Sequence, residues 1–371
     1  MKATSTHLDD TNLTSKDIGQ PLLQWYDRNS RPLSWRPSPS SYATLVAEFM
    51  LQQTQAAAVE PYYRRFLSRF PTLEALAVAS ELEVCSVWAG LGYYSRARAI
   101  RRLAQVVVEQ YEGQIPSDPV LLRRLPGVGC YTAGAIASIA FGVRVPAVDG
   151  NVSRVVARLF QIAGNPRKSG RVRNQILEIA HRILPERRVG DFNQAMMDLG
   201  ATICLPLRPR CSECPLADRC RAYINGNPAQ YPERLESRLI VEQTHVSAMI
   251  RRENGDLLLC QRPNGGWWAG MWEMPRVVCH DGEGVLAAAV RAGIEVVGMH
   301  LTPHEIVANI SHTVTHHRIQ LYVITAVGDG DPVPIGCSRI RWAQPDQFHE
   351  LAITSPQRRA LKAVGLWTAL D

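Results

Sequence analysis

The chain has 371 residues, of which 46% are hydrophobic and 20% charged, which fits two or three globular domains and excludes a collagen-like or wholly disordered chain. The formal net charge is +7, and counting by segment gives +9 for residues 1–230 and −2 for residues 231–371. This basic excess suits a polyanionic partner, nucleic acid before membrane, although a solubilising surface charge explains it equally well.

The start of the chain and its cysteines bear on where the protein works. Residues 1–10 are polar and lack the basic-then-apolar layout of a secretion signal, and the longest apolar stretch, near residues 133–143, is too short to cross a bilayer. Nine cysteines, an odd number, argue against a secreted disulfide framework and favour a metal site. We therefore expect a cytoplasmic protein without a membrane segment.

The first half of the chain has a helical pattern, because apolar residues recur at three- and four-residue spacing from about residue 18 to residue 201. One helix is predicted after Ser40, in SYATLVAEFMLQQTQ, and it places Glu48 among apolar neighbours. Partial desolvation there would raise the pKa of this carboxyl and let it hold a proton near neutral pH. The alternative is a solvent-facing position on an amphipathic helix.

Two glycine-containing turns follow in the chain. GLGYYSRAR (90–98) combines two aromatics with two arginines, which suits base stacking and backbone contacts, although a helix start with an aromatic packed inward is an equal alternative. LPGVGCYTAG (125–134) places two glycines before an apolar helix. The N–H groups at that helix start would suit an anion such as phosphate.

A second acidic residue, Asp149, begins a predicted helix in AVDGNVSRVVARLF. Aspartate is a favoured N-cap residue, so helix capping is the simpler explanation for it. Neither Glu48 nor Asp149 alone would establish a catalytic function.

The most specific pattern is a group of four cysteines, Cys204, Cys211, Cys214 and Cys220, spaced with six, two and five residues between them. Four thiolates can complete a tetrahedral shell for zinc or hold an iron–sulfur cluster, and the spacing leaves the metal open. For such a metal centre, a structural role that stabilises the loop has at least as much support as redox chemistry. Arginines lie between the cysteines and could contact a phosphate backbone: Arg208, Arg210, Arg219 and Arg221.

After the cysteines the pattern changes. Residues 222–240 contain Asn-Gly, Asn-Pro and Tyr-Pro and are typical of a linker. HVSAMIRR-ENG-DLLLCQR predicts strand, turn and strand, and HRIQLYVITAVG predicts another strand, so this part is expected to be α+β. His312, His316 and His317 have no cysteine or carboxylate at a ligand spacing, so no metal is expected there.

Taken together, EFMLQQTQ, GLGYYSRAR, LPGVGCYTAGA, AVDGNVSR and the cysteine spacing resemble the MutY-type adenine DNA glycosylases of the helix-hairpin-helix base-excision superfamily. The resemblance implies a multidomain protein: an all-α glycosylase region over residues 1–225, with the hairpin at about 121–141 and the four-Cys metal loop at 204–220. A linker at 226–240 and a C-terminal α+β, Nudix-like domain at 241–371 complete it; the resemblance of this last domain is weaker.

The implied activity is the removal of adenine mispaired with 8-oxoguanine or guanine. Relatives that also cut the strand have a nucleophilic lysine where this chain has Tyr131, so the resemblance implies a monofunctional glycosylase. Glu48 then corresponds to the acid that protonates adenine at N7, and Asp149 to the carboxylate that stabilises the developing oxocarbenium ion. Tyr131 and Asn151 are expected around Asp149.

The resemblance assigns further residues by position. The adenine pocket would be lined by Trp35, Arg36 and Leu51; DNA would be contacted by Gln53, Leu91, Tyr93, Gly127 and Gly129; 8-oxoguanine would be recognised by Ser311 and His312; and a 4Fe-4S cluster would be held by Cys204, Cys211, Cys214 and Cys220. The partner implied is double-stranded DNA with an A:8-oxoguanine or A:G mispair, bound by a monomer in the cytoplasm.

Two departures and two alternatives accompany this interpretation. Ile310 replaces the aromatic often found before Ser311, and EGVLAAAVRAGIEVV lacks the acidic run of a Nudix catalytic helix, so pyrophosphate cleavage is not expected. One alternative is an endonuclease III-like glycosylase with lyase activity on oxidised pyrimidines. The other is a non-catalytic, metal-stabilised DNA-binding protein, which would not need Glu48 and Asp149 together.

Overall fold

The computed structural model describes residues 13–36, 40–235 and 239–367. The polar stretch at residues 1–10, in which no secretion signal is predicted, lies outside these ranges. The chain divides into two compact units, Met1–Val78 with Ala99–Glu236 and Ala79–Arg98 with Ser237–Asp371. Within the described ranges, no helix is both long and apolar enough to cross a membrane.

The helical prediction for the first half of the chain is confirmed. The α-helices found before the first strand are α1 (Ser15–Asn29), α2 (Ser41–Leu51), α3 (Ala56–Arg69), α4 (Leu73–Val78), α5 (Glu81–Val87), α6 (Tyr94–Gln110), α7 (Pro119–Leu122), α8 (Cys130–Phe141), α9 (Gly150–Leu159), α10 (Gly170–Arg182), α11 (Val189–Thr202) and α12 (Arg221–Ile224).

The two helices α2 and α8 form the centre of the first unit. The Ser40 side chain caps α2 by accepting a hydrogen bond from Ala43 N, and every residue from 44 to 50 is buried. In α8 the small residues allow close packing, since a Cβ added to Gly134 would lie 2.3 Å from the carbonyl oxygen of Pro146. A second core lies among α1, α9, α10 and α11 and includes the cysteine segment through Cys220.

The second unit is α+β, as the strand patterns predict. Its regular elements after residue 240 are β1 (Val241–Ile250), β2 (Leu257–Gln261), β3 (Trp272–Glu273), β4 (Arg276–Val278), α13 (Val285–Ala292), β5 (His300–Val314), β6 (His317–Asp329), β7 (Arg339–Ala343) and α14 (Ser355–Ala363). One sheet has the order β4-β1-β6-β5 and the other the order β3-β2-β7.

The strand, turn and strand predicted around ENG are present, but β1 and β2 belong to different sheets. Strand β1 pairs in parallel with β6, with Val246 opposite Tyr322, whereas β2 pairs antiparallel with β7. Residues 245–250 and 257–260 are all buried, so each strand lies inside its own sheet with both faces covered. The apolar cores of this unit pack against these strands.

Candidate active site

The glycine-rich turn leads directly into α8, as predicted. Gly127 has a φ of +78°, and a Cβ there would lie 2.9 Å from both Ala99 Cβ and Phe49 Cε1, so only glycine fits. Gly129 is the N-cap residue of α8, and a Cβ there would meet nothing within 4 Å. The first N–H groups of a helix have no intrahelical acceptor, and next to an open glycine they can bind a phosphate oxygen.

Glu48 lies in the middle of α2 and is 4% exposed. Its Oε2 atom makes no hydrogen bond within the described residues. Burial raises the pKa of Glu48 to about 7; the Tyr131 hydroxyl opposes this rise and the Asp149 carboxylate adds to it. The surface position considered from sequence is therefore wrong, and the carboxyl can hold and release a proton near neutral pH.

Asp149 is the N-cap residue of α9, so the capping explanation is correct in structural terms. Its Oδ1 accepts a hydrogen bond from Val152 N at 2.7 Å, and its Oδ2 accepts one from Asn151 Nδ2 at 3.0 Å. Burial raises the pKa of Asp149, and these hydrogen bonds partly offset the rise. Capping and a second, electrostatic role are compatible in one carboxylate.

Tyr131 lies in the first turn of α8 and is close to both carboxylates. Burial raises the pKa of its hydroxyl well above the usual value, and Glu48 and Asp149 raise it further. The hydroxyl donates a hydrogen bond to Met197 Sδ at 3.7 Å. Because it stays un-ionised at neutral pH, Tyr131 offers no anionic nucleophile in this position.

A small pocket lies against Glu48, and three of the residues predicted for the adenine pocket line it: Trp35, Arg36 and Leu51. Arg36 is fixed by two hydrogen bonds to the buried carboxylate of Asp198, at 2.7 and 2.8 Å. The pocket encloses about 40 Å³. A space of this size holds only a few water molecules, so lining side chains would have to move before a purine could enter.

Asp149 lines a different space, a groove that is also lined by Gly150, Ser153 and Arg154. Arg154 donates to Asn151 Oδ1 at 2.9 Å and to the Cys204 carbonyl oxygen at 2.8 Å. These contacts join the Asp149–Asn151 pair to the cysteine segment.

The sequence analysis did not identify Arg154 or Asp198 as site residues. Their only signal was a charged residue within a mostly apolar helical run.

The four cysteines come together around one pocket. Burial raises the pKa of Cys214 to about 12 and that of Cys220 to about 11, and the neighbouring thiols contribute to both shifts. Arg158 is 2% exposed and donates to Cys204 Sγ at 3.2 Å. Among the described residues, no three His, Cys, Asp or Glu side chains are placed to hold a metal ion.

The residues predicted to contact or wedge into DNA differ in exposure. Gln53 is exposed with a φ of +58°, and Tyr93 is 48% exposed with a φ of +51°. Leu91, by contrast, is only 8% exposed. Leu91 would therefore have to leave its present packing before it could enter a duplex.

In the second unit, Tyr93 and His312 line one pocket of about 430 Å³ together with Trp267, Trp268 and Arg359. The His312 ring lies 5.9 Å from the Trp268 ring, and neither of its nitrogens makes a hydrogen bond within the described residues. Burial lowers the pKa of His312, and the nearby arginines lower it further, which favours the neutral imidazole. The Ser311 carbonyl accepts a hydrogen bond from Arg359 at 3.1 Å.

Beneath Trp268 lies a buried charged group that the sequence analysis missed. The Arg276 guanidinium is 5.3 Å from the centre of the Trp268 ring and forms an ion pair with Glu273 at 3.0 Å. Arg276 also contacts His245 Nδ1 at 2.6 Å. Through Arg276 this group contacts Trp268, which lines the pocket, and its only signal in the sequence was the charged pair in MWEMPR.

The helix expected to lack a Nudix acidic run is α13 with the turn that follows it. The two glutamates near Arg291, Glu283 and Glu295, both form ion pairs with it, at 2.6 and 3.1 Å. Carboxylates engaged in this way are poor ligands for a catalytic magnesium ion. The absence of pyrophosphate cleavage by this unit stays a prediction.

Comparison with known proteins places the chain in a class. Residues 46–182 match the family described as HhH-GPD superfamily base excision DNA repair protein, and residues 246–363 match the NUDIX domain. A thermostable thymine-DNA glycosylase of known structure is 29% identical, with a TM-score of 0.53, over 57% of this chain and 97% of that one. The fold is thus a helix-hairpin-helix glycosylase region followed by a Nudix-like domain.

Relatives that match most of this chain narrow the class. Adenine DNA glycosylase of Homo sapiens is 34% identical over 400 residues, which cover 92% of this chain and 72% of that protein. The enzyme of the same name from Mus musculus is 34% identical over 92% of this chain and 76% of its own length. That from Mycolicibacterium smegmatis is 41% identical over 209 residues. The chain belongs to the adenine DNA glycosylase family.

Proposed function

We infer that the protein is a monofunctional DNA glycosylase that hydrolyses the bond between adenine and deoxyribose, at mispairs with 8-oxoguanine or guanine, in base excision repair. The observation that supports this most strongly is the proximity of Glu48, buried and protonatable, to Asp149, held by hydrogen bonds, with Tyr131 close to both. A non-catalytic DNA-binding protein would have no use for a buried, protonatable carboxyl close to a second carboxylate.

Glu48 supplies the acid. Adenine is a poor leaving group until a ring nitrogen is protonated, and a carboxyl with a pKa of about 7 is roughly half protonated at neutral pH. In this proposal the base leaves the stack and occupies the pocket lined by Trp35, Arg36 and Leu51. Because Asp198 fixes Arg36, the side chains that move to open the pocket would be the apolar ones of Leu51 and Met197, which also line it.

Asp149 meets the charge that develops on the sugar. As the glycosidic bond breaks, positive charge appears at C1′, and a fixed carboxylate stabilises it without having to reorganise. Val152 N and Asn151 hold the Asp149 oxygens in place, and Arg154 in turn orients Asn151. One carboxyl that gives a proton and one that stabilises the cation is the division of work found in glycoside hydrolysis.

The chain lacks the group that a strand-cutting relative would use. Tyr131 occupies the position of the lyase lysine, and a neutral phenol cannot form a Schiff base. Water is therefore the group that replaces adenine, and the product is an abasic site with both strands intact.

Recognition of 8-oxoguanine is assigned to Ser311 and His312 in the second unit. Both lie at the end of β5, and His312 presents a neutral imidazole with free nitrogens into a pocket walled by Trp267 and Trp268. An aromatic wall and an unused imidazole suit a purine with an added oxygen and N–H.

We propose that Cys204, Cys211, Cys214 and Cys220 hold a 4Fe-4S cluster. The four thiols line one pocket, and the buried Arg158 guanidinium beside Cys204 stabilises a thiolate there. When bound, the cluster would act as a staple for the segment to which Arg154 is attached. Iron and sulfide analysis of the purified protein should give four of each per chain; stoichiometric zinc would contradict the proposal.

The decisive test of the function is an excision assay on duplexes with a single adenine opposite each of 8-oxoguanine, guanine, cytosine and thymine. Adenine should be released opposite 8-oxoguanine and guanine, with no strand cut until alkali is added. Release of an oxidised pyrimidine, or cleavage without alkali, would favour the endonuclease III-like alternative.

The monomeric state, the cytoplasmic location and the linker at 226–240 stay predictions.

A further inference from the structure

A groove of about 590 Å³ in the first unit begins at Asp149 and Gly150 and extends to residues 229–235. Its charged lining is unequal, with five arginines against two carboxylates. The arginines are Arg154, Arg158, Arg167, Arg173 and Arg234. Neither the Gly127 hairpin nor the cysteine segment explains why the last three of these converge on one groove.

The five arginines are of two kinds. Arg154 and Arg158 donate to main-chain carbonyl oxygens, including those of Gly200 at 2.8 Å and Leu205 at 2.7 Å, and so serve the fold. The side chains of the other three are exposed and make no ion pair or hydrogen bond within the described residues; these are Arg167, Arg173 and Arg234.

The carboxylates of the groove do not neutralise these three guanidinium groups. Glu233 accepts a hydrogen bond from Gly164 N at 3.1 Å, and Asp149 is held by Val152 N and Asn151. The groove is therefore positively charged, with planar, bidentate donors available. Such donors match phosphate oxygens in geometry and charge.

We propose that this groove binds the DNA phosphates that flank the extruded adenosine. The proposal rests on the proposed function: if the base enters the Glu48 pocket and C1′ lies at Asp149, the sugar-phosphate chain must continue from Asp149, where the groove begins. Arg167, Arg173 and Arg234 are then phosphate ligands, and they hold the strand while the base is turned out.

The first test measures binding of the full-length protein to a duplex that carries 2′-fluoro-2′-deoxyadenosine, whose glycosidic bond resists hydrolysis, opposite 8-oxoguanine. The slope of log affinity against log salt concentration is compared between the wild type and the triple variant Arg167→Gln, Arg173→Gln, Arg234→Gln. Loss of three phosphate contacts should reduce the slope by about 2–3. Arg171→Gln is the matched control, because Arg171 is exposed on α10 but does not line the groove.

The second test places the contact. Neutral methylphosphonates replace the phosphates on either side of the adenosine. We expect this replacement to lower the DNA affinity of the wild type but not to lower the DNA affinity of the triple variant any further. A slope equal to that of the Arg171→Gln control, or a methylphosphonate penalty that is the same in both proteins, would overturn the proposal. All variants should melt at the wild-type temperature.

The excision assay keeps the two proposals apart. If the wild type releases adenine and the triple variant keeps the full salt slope, the groove assignment alone fails. If no base is released but the slope and the methylphosphonate penalty respond as expected, the groove binds DNA and the catalytic proposal is the one that fails.

Discussion

The pocket beside Glu48 and the pocket beside Trp268 differ in size and in the chemistry of their linings. The first is small, about 40 Å³, and contains a buried carboxyl that can exchange a proton near neutral pH. The second is larger, about 430 Å³, and its described lining is aromatic, cationic and without Asp or Glu. Under the proposed function, the first pocket serves bond breaking and the second serves mispair discrimination. Changes in the first pocket should then alter the excision rate, and changes in the second should alter the mispair preference.

The largest effect should come from removing the proton. Glu48→Gln keeps the shape of the side chain but cannot protonate adenine, so single-turnover excision should fall by about 10³-fold or more while DNA affinity stays within a few-fold. Glu178→Gln, an exposed change on α10, should leave the rate unchanged. Wild-type rates for Glu48→Gln would show that the two pockets do not differ as described.

The next effect separates catalysis from capping at Asp149. Asparagine is as good an N-cap as aspartate, so Asp149→Asn should melt near the wild-type temperature yet excise adenine about 10²–10³-fold more slowly, because the stabilising charge is gone. The control is Asp118→Asn, another N-cap aspartate, which accepts a hydrogen bond from Val120 N at 2.7 Å. If both variants excise at the wild-type rate, Asp149 is a cap and nothing more.

A third prediction concerns the stability cost of the Glu48 carboxyl. Its pKa is about 7 in the folded protein against 4.5 in the unfolded chain, so the folded state binds more protons between these values and stability falls as pH rises through this window. Glu48→Gln removes this loss. Its unfolding free energy relative to the wild type should rise by about 2–3 kcal/mol from pH 5 to pH 8, as measured by urea unfolding. A difference independent of pH would contradict the raised pKa.

The smallest effect should appear in the second pocket. Replacing Ser311 and His312 together by alanine should lower the preference for adenine opposite 8-oxoguanine over adenine opposite guanine by about tenfold, because hydrogen bonds to the damaged base are lost. The rate opposite guanine should change little. His300→Ala, on the same strand β5, is the matched control. An unchanged preference would remove the 8-oxoguanine assignment.

The sequence predicted local features well where a residue's type determined its environment. An apolar helical run around Glu48 made burial one of two open positions, and two glycines before an apolar helix predicted the turn at Gly127. It could not predict that Asp198 fixes Arg36 or that Arg154 joins Asn151 to Cys204, because those pairs are separated by 162 and 50 residues. Long-range ion pairs depend on tertiary packing, which local periodicity does not contain.

Dependence on long-range contacts also explains why the sheet arrangement of the second unit could not be predicted from the sequence. The strands around ENG are predictable from alternation and a turn, but their assignment to separate sheets depends on β6 and β7, which follow much later in the chain. The charged group under Trp268 likewise brings Glu273 and Arg276 to His245, and none of these has a distinctive local pattern. For the groove arginines, an excess of basic residues was visible, whereas their convergence was not.

The most direct test of the central claim, proton transfer from Glu48 to an extruded adenine, is the pH dependence of single-turnover excision by the wild type between pH 6 and pH 9. With a pKa of about 7 for this acid, the rate should decrease above pH 7, and the decrease should approach tenfold for each further pH unit. A rate that stays constant up to pH 9, with DNA binding unchanged, would contradict the account.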